Sequence, residues 1–250
     1  MNKPYLKHLN KIEFVLTNVC TGRCIQCSQG EHSTHGECID AKIATDAVRQ
    51  VVKRYDIKTV MVFGGEPLLF VDTTCAIFAC ASELSVPKRQ LITNGFFTRD
   101  RGRMREVALR LAECGVNDLL LSVDAFHQQT IPLEIVHAFA EEVGYAKIPI
   151  RLQPAWLVSR DDDNPYNRKT KEVLSAFCDT GIPTGEGNVI FPEGNAIRYL
   201  SEYFTQVCPE NPYEENPYDV RCLSVAQDGT VLGGNLYERD ILAIIDEYIP

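Results

Sequence analysis

The chain has 250 residues, 45% of them hydrophobic and 24% charged, an ordinary globular composition with enough apolar residues for one sizeable core. Disordered, collagenous and low-complexity classes are excluded. A formal net charge of -9, from 25 Lys and Arg against 34 Asp and Glu, argues against nucleic acid as a partner, because such binding rests on cationic contacts to phosphate. The opening MNKPYLKHLNKIEF lacks an apolar signal core and no apolar run is long enough to cross a bilayer, so no membrane partner is expected and the chain reads as cytoplasmic. In that compartment ten cysteines point to metal or redox chemistry rather than to a disulfide framework.

From residue 11 to about 196, short β-rich runs alternate with stretches of helical spacing. The first strand spans residues 12–17 and is followed by a loop rich in Cys, Gly and His. Asp40 then reads as the cap of a helix burying Ile43, Ala47, Val48, Val51 and Val52. A second strand at 59–63 is stopped by Gly64-Gly65, and Asp72 caps the next helix. The third strand, 89–93, ends at Asn94-Gly95; a helix over 98–114 closes at Gly115. A fully apolar strand at 119–123 precedes a helix over 132–143 with Pro132 near its start and Gly144 after it. The fifth unit pairs residues 148–152 with a helix over about 169–178, and a sixth strand lies around 188–191.

Six βα units joined by right-handed crossovers make an α/β fold, most simply an incomplete (βα)6 barrel over residues 1–195. The alternative is an open doubly wound sheet. Both place ligands at the carboxyl ends of the strands. Residues 196–250 read as a small appendage, with a hairpin over 222–232 turning at Asp228-Gly229 and a helix burying Ile241, Leu242, Ile244, Ile245 and Tyr248.

Cys20, Cys24 and Cys27 stand at the end of the first strand, close enough to share one soft metal centre. Structural zinc and ordinary [4Fe-4S] clusters take four protein ligands, whereas this loop offers three. Either Cys38, His32 or His35 completes the set, or one iron is left to bind something else. Cys75, Cys80, Cys114 and Cys178 fall on helical stretches among apolar neighbours and read as buried small hydrophobes.

The Cys-x3-Cys-x2-Cys loop after a first strand, with Gly64-Gly65-Glu66-Pro67 after the second, resembles the radical S-adenosylmethionine (SAM) superfamily over roughly residues 11–195. The resemblance implies that Cys20, Cys24 and Cys27 hold a [4Fe-4S] cluster whose remaining iron is chelated by SAM. Reductive cleavage of SAM would then give a 5′-deoxyadenosyl radical that abstracts hydrogen from a substrate. It also implies a low-potential electron donor such as flavodoxin or ferredoxin. Gly64, Gly65, Glu66 and Pro67 would bind the methionyl amine, with Gly64 and Gly65 allowing close backbone approach and Glu66 accepting from an ammonium. Ser122 and Asp124 are placed for ribose, Arg151 for the SAM carboxylate, and Asn94 near the SAM pocket. Residues 187–195 resemble the sixth-strand region near adenine. The position before the last cysteine, commonly aromatic or His in the family, is Gln26, a departure that bears on stacking against adenine.

The tail resembles a shortened SPASM or Twitch extension, but Leu232-Gly233-Gly234 stands where a further cysteine would be expected, leaving Cys208 and Cys222, too few for a second cluster. His127, following the fourth strand, is placed to face substrate as a proton donor or acceptor; Arg160 and Tyr166, with Trp156, follow the fifth strand where a substrate mouth would lie. The substrate expected is a peptide or a small amino-acid-like metabolite. A second class, a non-catalytic iron-sulfur electron-transfer or redox-sensing protein, is distinguished by its indifference to SAM.

Overall fold

In the computed structural model, which describes residues 3–205 and 208–250, helices follow parallel strands as the alternating pattern requires. The elements are β1 (Lys11–Val15), α1 (Ala41–Arg54), β2 (Thr59–Phe63), α2 (Val71–Glu83), β3 (Lys88–Thr93), α3 (Arg101–Glu113), β4 (Asp118–Ser122), α4 (Leu133–Tyr145) and β5 (Ile150–Gln153). They continue with β6 (Ala155–Trp156), α5 (Pro165–Ser175), β7 (Asn188–Val189), α6 (Asn195–Tyr199), β8 (Cys222–Val225), β9 (Thr230–Val231), β10 (Gly234–Asn235) and α7 (Ile241–Glu247).

The main sheet has the order β5-β4-β3-β2-β1-β8 with every pairing parallel. From β1 to β5 the order never reverses, and α7, α1, α2, α3 and α4 pack against one another in a single row on one face of the sheet, which rules out the doubly wound alternative with helices on both faces. The result is a partial barrel. A parallel Leu152 to Thr184 bridge and the short β6–β7 ladder carry the arc beyond β5.

Strand residues alternate between two faces. Ile12, Phe14, Val60, Val62, Leu91, Leu119 and Leu121 join the main apolar core under the helices. The other set lines the concave face in register: Glu13 beside Met61, Gln90 beside Asp118 and Met61, then Leu120 beside Ile92 and Arg151, then Ser122 beside Gln153. Its floor is polar. Asp118 accepts from Gln90 Nε2 at 2.6 Å and Arg151 Nη1 at 2.6 Å, and pairs with Lys88 Nζ at 2.9 Å.

Several local readings need correction. Asp72 lies inside the first turn of α2 rather than at its cap, because a 3-10 turn over Pro67–Phe70 precedes the helix and Glu66 caps that turn by accepting from Leu68 N. Gly144 sits within α4, where a Cβ would meet nothing within 4 Å; the positive φ falls on Lys147 instead. Asn164 caps α5, which starts earlier than its spacing suggested, with Pro165 in its first turn. Cys178 is exposed, in a 3-10 turn after that helix.

The tail differs most. Its turn at Asp228-Gly229 is present, but the strand before it, β8, pairs with β1 in the main sheet, and the antiparallel pair is β9 with β10. α7 packs against α1, where Arg54 donates to Asp246 at 2.9 and 2.5 Å.

Candidate active site

The cysteine loop is fastened at its base by the turn after β2. Gly64 and Gly65 have φ of 86° and 53°, and a Cβ on Gly65 would lie 2.3 Å from the Val19 carbonyl oxygen. The close approach that Gly65 allows is therefore to the start of the cysteine loop itself, and that of Gly64 is to Val15 at the end of β1. Glu66 N then donates to the Val19 carbonyl at 2.8 Å.

The ends of the other strands hold the same loop. Asn94, just beyond β3, points its Nδ2 at Cys20 Sγ (3.5 Å) and Thr21 Oγ1 (3.3 Å). From the loop after β4, Thr130 Oγ1 accepts from Arg23 N at 3.1 Å. After β7, Asn195 donates from its backbone to the Cys27 carbonyl (2.9 Å) and from Nδ2 to the Cys24 carbonyl (3.0 Å). Gly194, with φ of 54°, allows that contact, since a Cβ would stand 2.5 Å from the Cys27 oxygen. Asn195 was not singled out in sequence; the only signal was its place in the segment 187–195.

Within the loop, the Cys24 and Cys20 sulfurs lie 3.2 and 3.7 Å from the point a Gly22 Cβ would occupy, so the two converge on one turn. Burial pushes the Cys20 thiol up to about 11 and raises Cys24 and Cys27 as well. Of the three residues considered as a fourth ligand, only His32 meets the cysteines: Nε2 is 3.1 Å from Cys27 Sγ and Nδ1 3.2 Å from the Asn18 carbonyl. Cys38 bonds Thr73 at 3.4 Å, and His35 is exposed. Among the described residues no group of three His, Cys, Asp or Glu side chains is set to hold a single metal ion.

Glu66 is fully buried. Oε1 accepts from Leu68 N (2.9 Å) and Thr93 Oγ1 (2.7 Å), and Oε2 from Asn94 N (2.9 Å), knotting the ends of β2 and β3. Burial raises its carboxyl from 4.5 to about 7, against the opposing pull of those hydrogen bonds. Pro67 is buried behind it and starts the 3-10 turn.

Ser122 is 8% exposed on the concave face. Asp124 is consumed: Oδ1 accepts from the backbone of Phe126 (2.9 Å) and His127 (3.0 Å), Oδ2 from Ala155 N (3.0 Å) and His127 Nδ1 (2.8 Å). These bonds make Asp124, expected from sequence near the ribose, an anchor of the β4 loop. Burial pulls the His127 imidazole down, but the Asp124 carboxylate outweighs it and the net shift is upward. Gln26 Nε2 is 3.4 Å from His127 Nδ1, while Gln26 Oε1 is buried with no partner among the described residues.

Three other expectations are redirected. Arg151 is bound by both guanidinium nitrogens to Asp118 on the barrel floor, so it is not the free cation that the sequence suggested for a SAM carboxylate. Tyr166 stacks on Phe126 with ring centroids 4.7 Å apart, as part of a second apolar cluster. Arg160 is exposed, 5.9 Å from the ring of buried Trp156.

A cysteine loop offering three sulfurs at the mouth of a singly wound parallel arc defines the class, and the comparisons agree. The model of the Radical SAM superfamily matches residues 14–195, so the chain belongs to that superfamily, whose enzymes use a [4Fe-4S] cluster and SAM. A probable GTP 3′,8-cyclase of Saccharolobus islandicus (strain L.S.2.15 / Lassen #1) is 26% identical over 216 residues, covering 80% of this chain and 66% of that protein. The GTP 3′,8-cyclase of Listeria monocytogenes serovar 1/2a is 24% identical over 225 residues, covering 83% of this chain and 64% of that protein. The chain thus spans just under two thirds of the length of these relatives. Among solved structures, native anSMEcpe with bound AdoMet aligns with a TM-score of 0.60 at 16% identity, covering 96% of this chain and 82% of that one. BtrN in complex with AdoMet and 2-DOIA aligns at 0.53 and 17%, covering 95% and 82%. Both show a shared fold.

The residues fit the cofactors the family implies. Three free thiols on one loop, fewer than a full tetrahedral set, suit a cluster with one free iron, and a buried carboxylate with no Lys or Arg partner among the described residues suits an ammonium beside it.

Proposed function

We propose that this chain is a SAM-cleaving radical enzyme whose cluster is held by Cys20, Cys24 and Cys27 and whose SAM is bound by Gly64, Gly65, Glu66, Pro67, Asn94 and Ser122. The bound cofactors supply reductive cleavage of SAM to a 5′-deoxyadenosyl radical that abstracts hydrogen from substrate. The chain's own part is placement. Backbone and side-chain bonds from four strand ends fix the loop that carries the three cysteines before any iron arrives. Glu66 is the observation that carries the SAM site: Oε2 has accepted one backbone hydrogen and keeps capacity for an ammonium. Ser122 and Gln153 lie beside one another on the open rim of the concave face, which favours a small polar metabolite or a peptide side chain as substrate. GTP, the substrate named for the relatives, is one candidate of that polar class. His127, held by Asp124, is the group placed to exchange a proton there.

The test is anaerobic reconstitution with iron, sulfide, SAM and dithionite, read as 5′-deoxyadenosine formed per chain. Formation that requires both SAM and reductant, and vanishes in Cys24→Ala, supports the reading; its absence in protein with a full cluster refutes it.

The His32 contact with Cys27 favours one second reading, an iron-sulfur protein closed by a fourth protein ligand. In that case SAM leaves the electron paramagnetic resonance spectrum of the reduced cluster unchanged, and His32→Ala changes it.

A further inference from the structure

The arc of strands ends in β7 on one side and β8 on the other, which do not pair with each other among the described residues. One short segment of the tail touches both. Asn211 Nδ2 donates to Glu193 Oε1, just past β7, at 2.9 Å. The Tyr213 hydroxyl donates to Asn188 Oδ1 in β7 at 2.7 Å, and its ring centroid lies 6.1 Å from that of Phe191. Glu215 Oε2 then accepts from Arg221 N at 2.8 Å and from the N of Cys222, the first residue of β8, at 3.3 Å. An extended chain advances about 3.3 to 3.6 Å per residue, so ties at Tyr213 and Glu215 hold both ends of the arc within side-chain reach of one another. Residues 212–217 are all exposed, so this segment is fastened by polar side-chain bonds rather than by burial, the mark of a region that opens locally. Behind it lies the concave face. Asn188 Oδ1 also accepts from Gln153 Nε2 at 3.2 Å, joining the segment through one oxygen to the rim. Cys222 is on the same face, because Leu223 and Val225, which alternate with it, enter the core under the helices, and it is only 8% exposed.

We propose that residues 211–215 are a strap that closes the gap between β7 and β8, and that its release from Asn188 and Glu193 opens the concave face from the side to a small molecule bearing a hydroxyl or amino group. The proposal rests on the reading of that face as the place of substrate. Release exchanges two side-chain hydrogen bonds for bonds to water, a small net cost. It also frees a lone pair of Asn188 Oδ1, which Gln153 keeps oriented, for a donor on the incoming molecule. The ties to the two ends of the arc open together, because one stretch of five residues carries them all.

Hydrogen exchange and thiol alkylation of the full chain, kept anaerobic and read by mass spectrometry, test this without turnover. The amides of Arg221 and Cys222 donate to the strap, so their exchange reports its release. Tyr213→Phe removes only the tie to Asn188, at the other end of the arc, and should make those two amides exchange about twofold to tenfold faster. Asn211→Ala, which cuts the tie to Glu193, should act in the same direction. Iodoacetamide, a small polar reagent, should then reach Cys222 faster by a similar factor, while buried Cys80 on α2 keeps its rate. Unchanged exchange at Arg221 and Cys222 in both variants would show that the ties do not open together. Faster exchange with unchanged alkylation of Cys222 would show that the strap moves without uncovering the concave face, and a parallel rise at Cys80 would mark a general loosening; each of the three overturns the proposal. Neither readout uses SAM, so their failure leaves the cofactor reading standing, and failed SAM cleavage leaves the strap.

Discussion

Two buried carboxylates stand at opposite ends of the same concave face, and the barrel treats them differently. Asp118, on the floor, is met by Lys88 and Arg151 as well as by Gln90. Glu66, at the rim, accepts among the described residues from neutral donors, the backbone of Leu68 and Asn94 and the hydroxyl of Thr93. A charge matched by bonded cations is structural and finished; one that is hydrogen-bonded by neutral groups, with only the His127 imidazole acting on it from a distance, is oriented but not ion-paired. The difference separates a carboxylate engaged in the fold from the one proposed above to meet an ammonium.

The largest effect should come at the rim. Cys20→Ala, Cys24→Ala or Cys27→Ala is expected to take reconstituted iron from about four per chain to below about one, while Cys178→Ala leaves it unchanged. Colorimetric iron assay checks this, and full loading of Cys24→Ala would place the cluster elsewhere. Next in size, Glu66→Ala should keep the iron but weaken SAM about tenfold to a hundredfold, the worth of one charge-assisted hydrogen bond. Calorimetry on cluster-replete protein reads it, and an unchanged affinity would remove Glu66 from the SAM site.

Floor variants should behave in the opposite sense. Arg151→Ala is expected to lower unfolding free energy by about 1 to 3 kcal/mol, since it leaves Asp118 short of one cation, yet to alter SAM affinity by less than about twofold. A tenfold loss of SAM affinity at full stability would erase the contrast between floor and rim. The smallest effect concerns pH. The folded carboxyl of Glu66 titrates near 7 rather than 4.5, so its ionisation penalises the native state. That penalty is absent below pH 4.5 and complete above 7, reaching about 3 kcal/mol by the worth of each pKa unit. Measured by denaturant titration of protein free of iron and SAM, the stability of Glu66→Gln relative to the unsubstituted chain should improve as pH rises through that window. No pH trend in the difference would show that Glu66 is not desolvated.

What could be read in the sequence was local. β1 to β4 announced themselves by apolar runs between caps such as Asp40 and stops such as Gly115, and the cysteine trio by its spacing within one loop. What could not be read depended on partners distant in the chain. Arg151 looked free because Asp118, which claims it, lies 33 residues earlier. Asp124 looked like a ribose ligand because nothing in its neighbourhood showed that Ala155 would also bind it. Tyr166 resembled a substrate-facing aromatic until the stacking on Phe126 placed it in a core. β8 looked like half of a hairpin because its turn at Asp228-Gly229 is a local signal, whereas its pairing with β1 is not.

That last pairing bears on how the molecule is made. β1 carries the cysteine loop at its end, and one of its two edges is covered by residues 222–225, with the Arg221 carbonyl accepting from Asn10 N and Lys11 N. During synthesis the strand must wait, with a row of unpaired amides and carbonyls exposed, until residues 16–220 have been added. Contacts of such long sequence separation form late and slowly, so a nascent chain interrupted before Cys222 presents an open strand edge to its neighbours. The last segment of the sheet thus guards the first against aggregation.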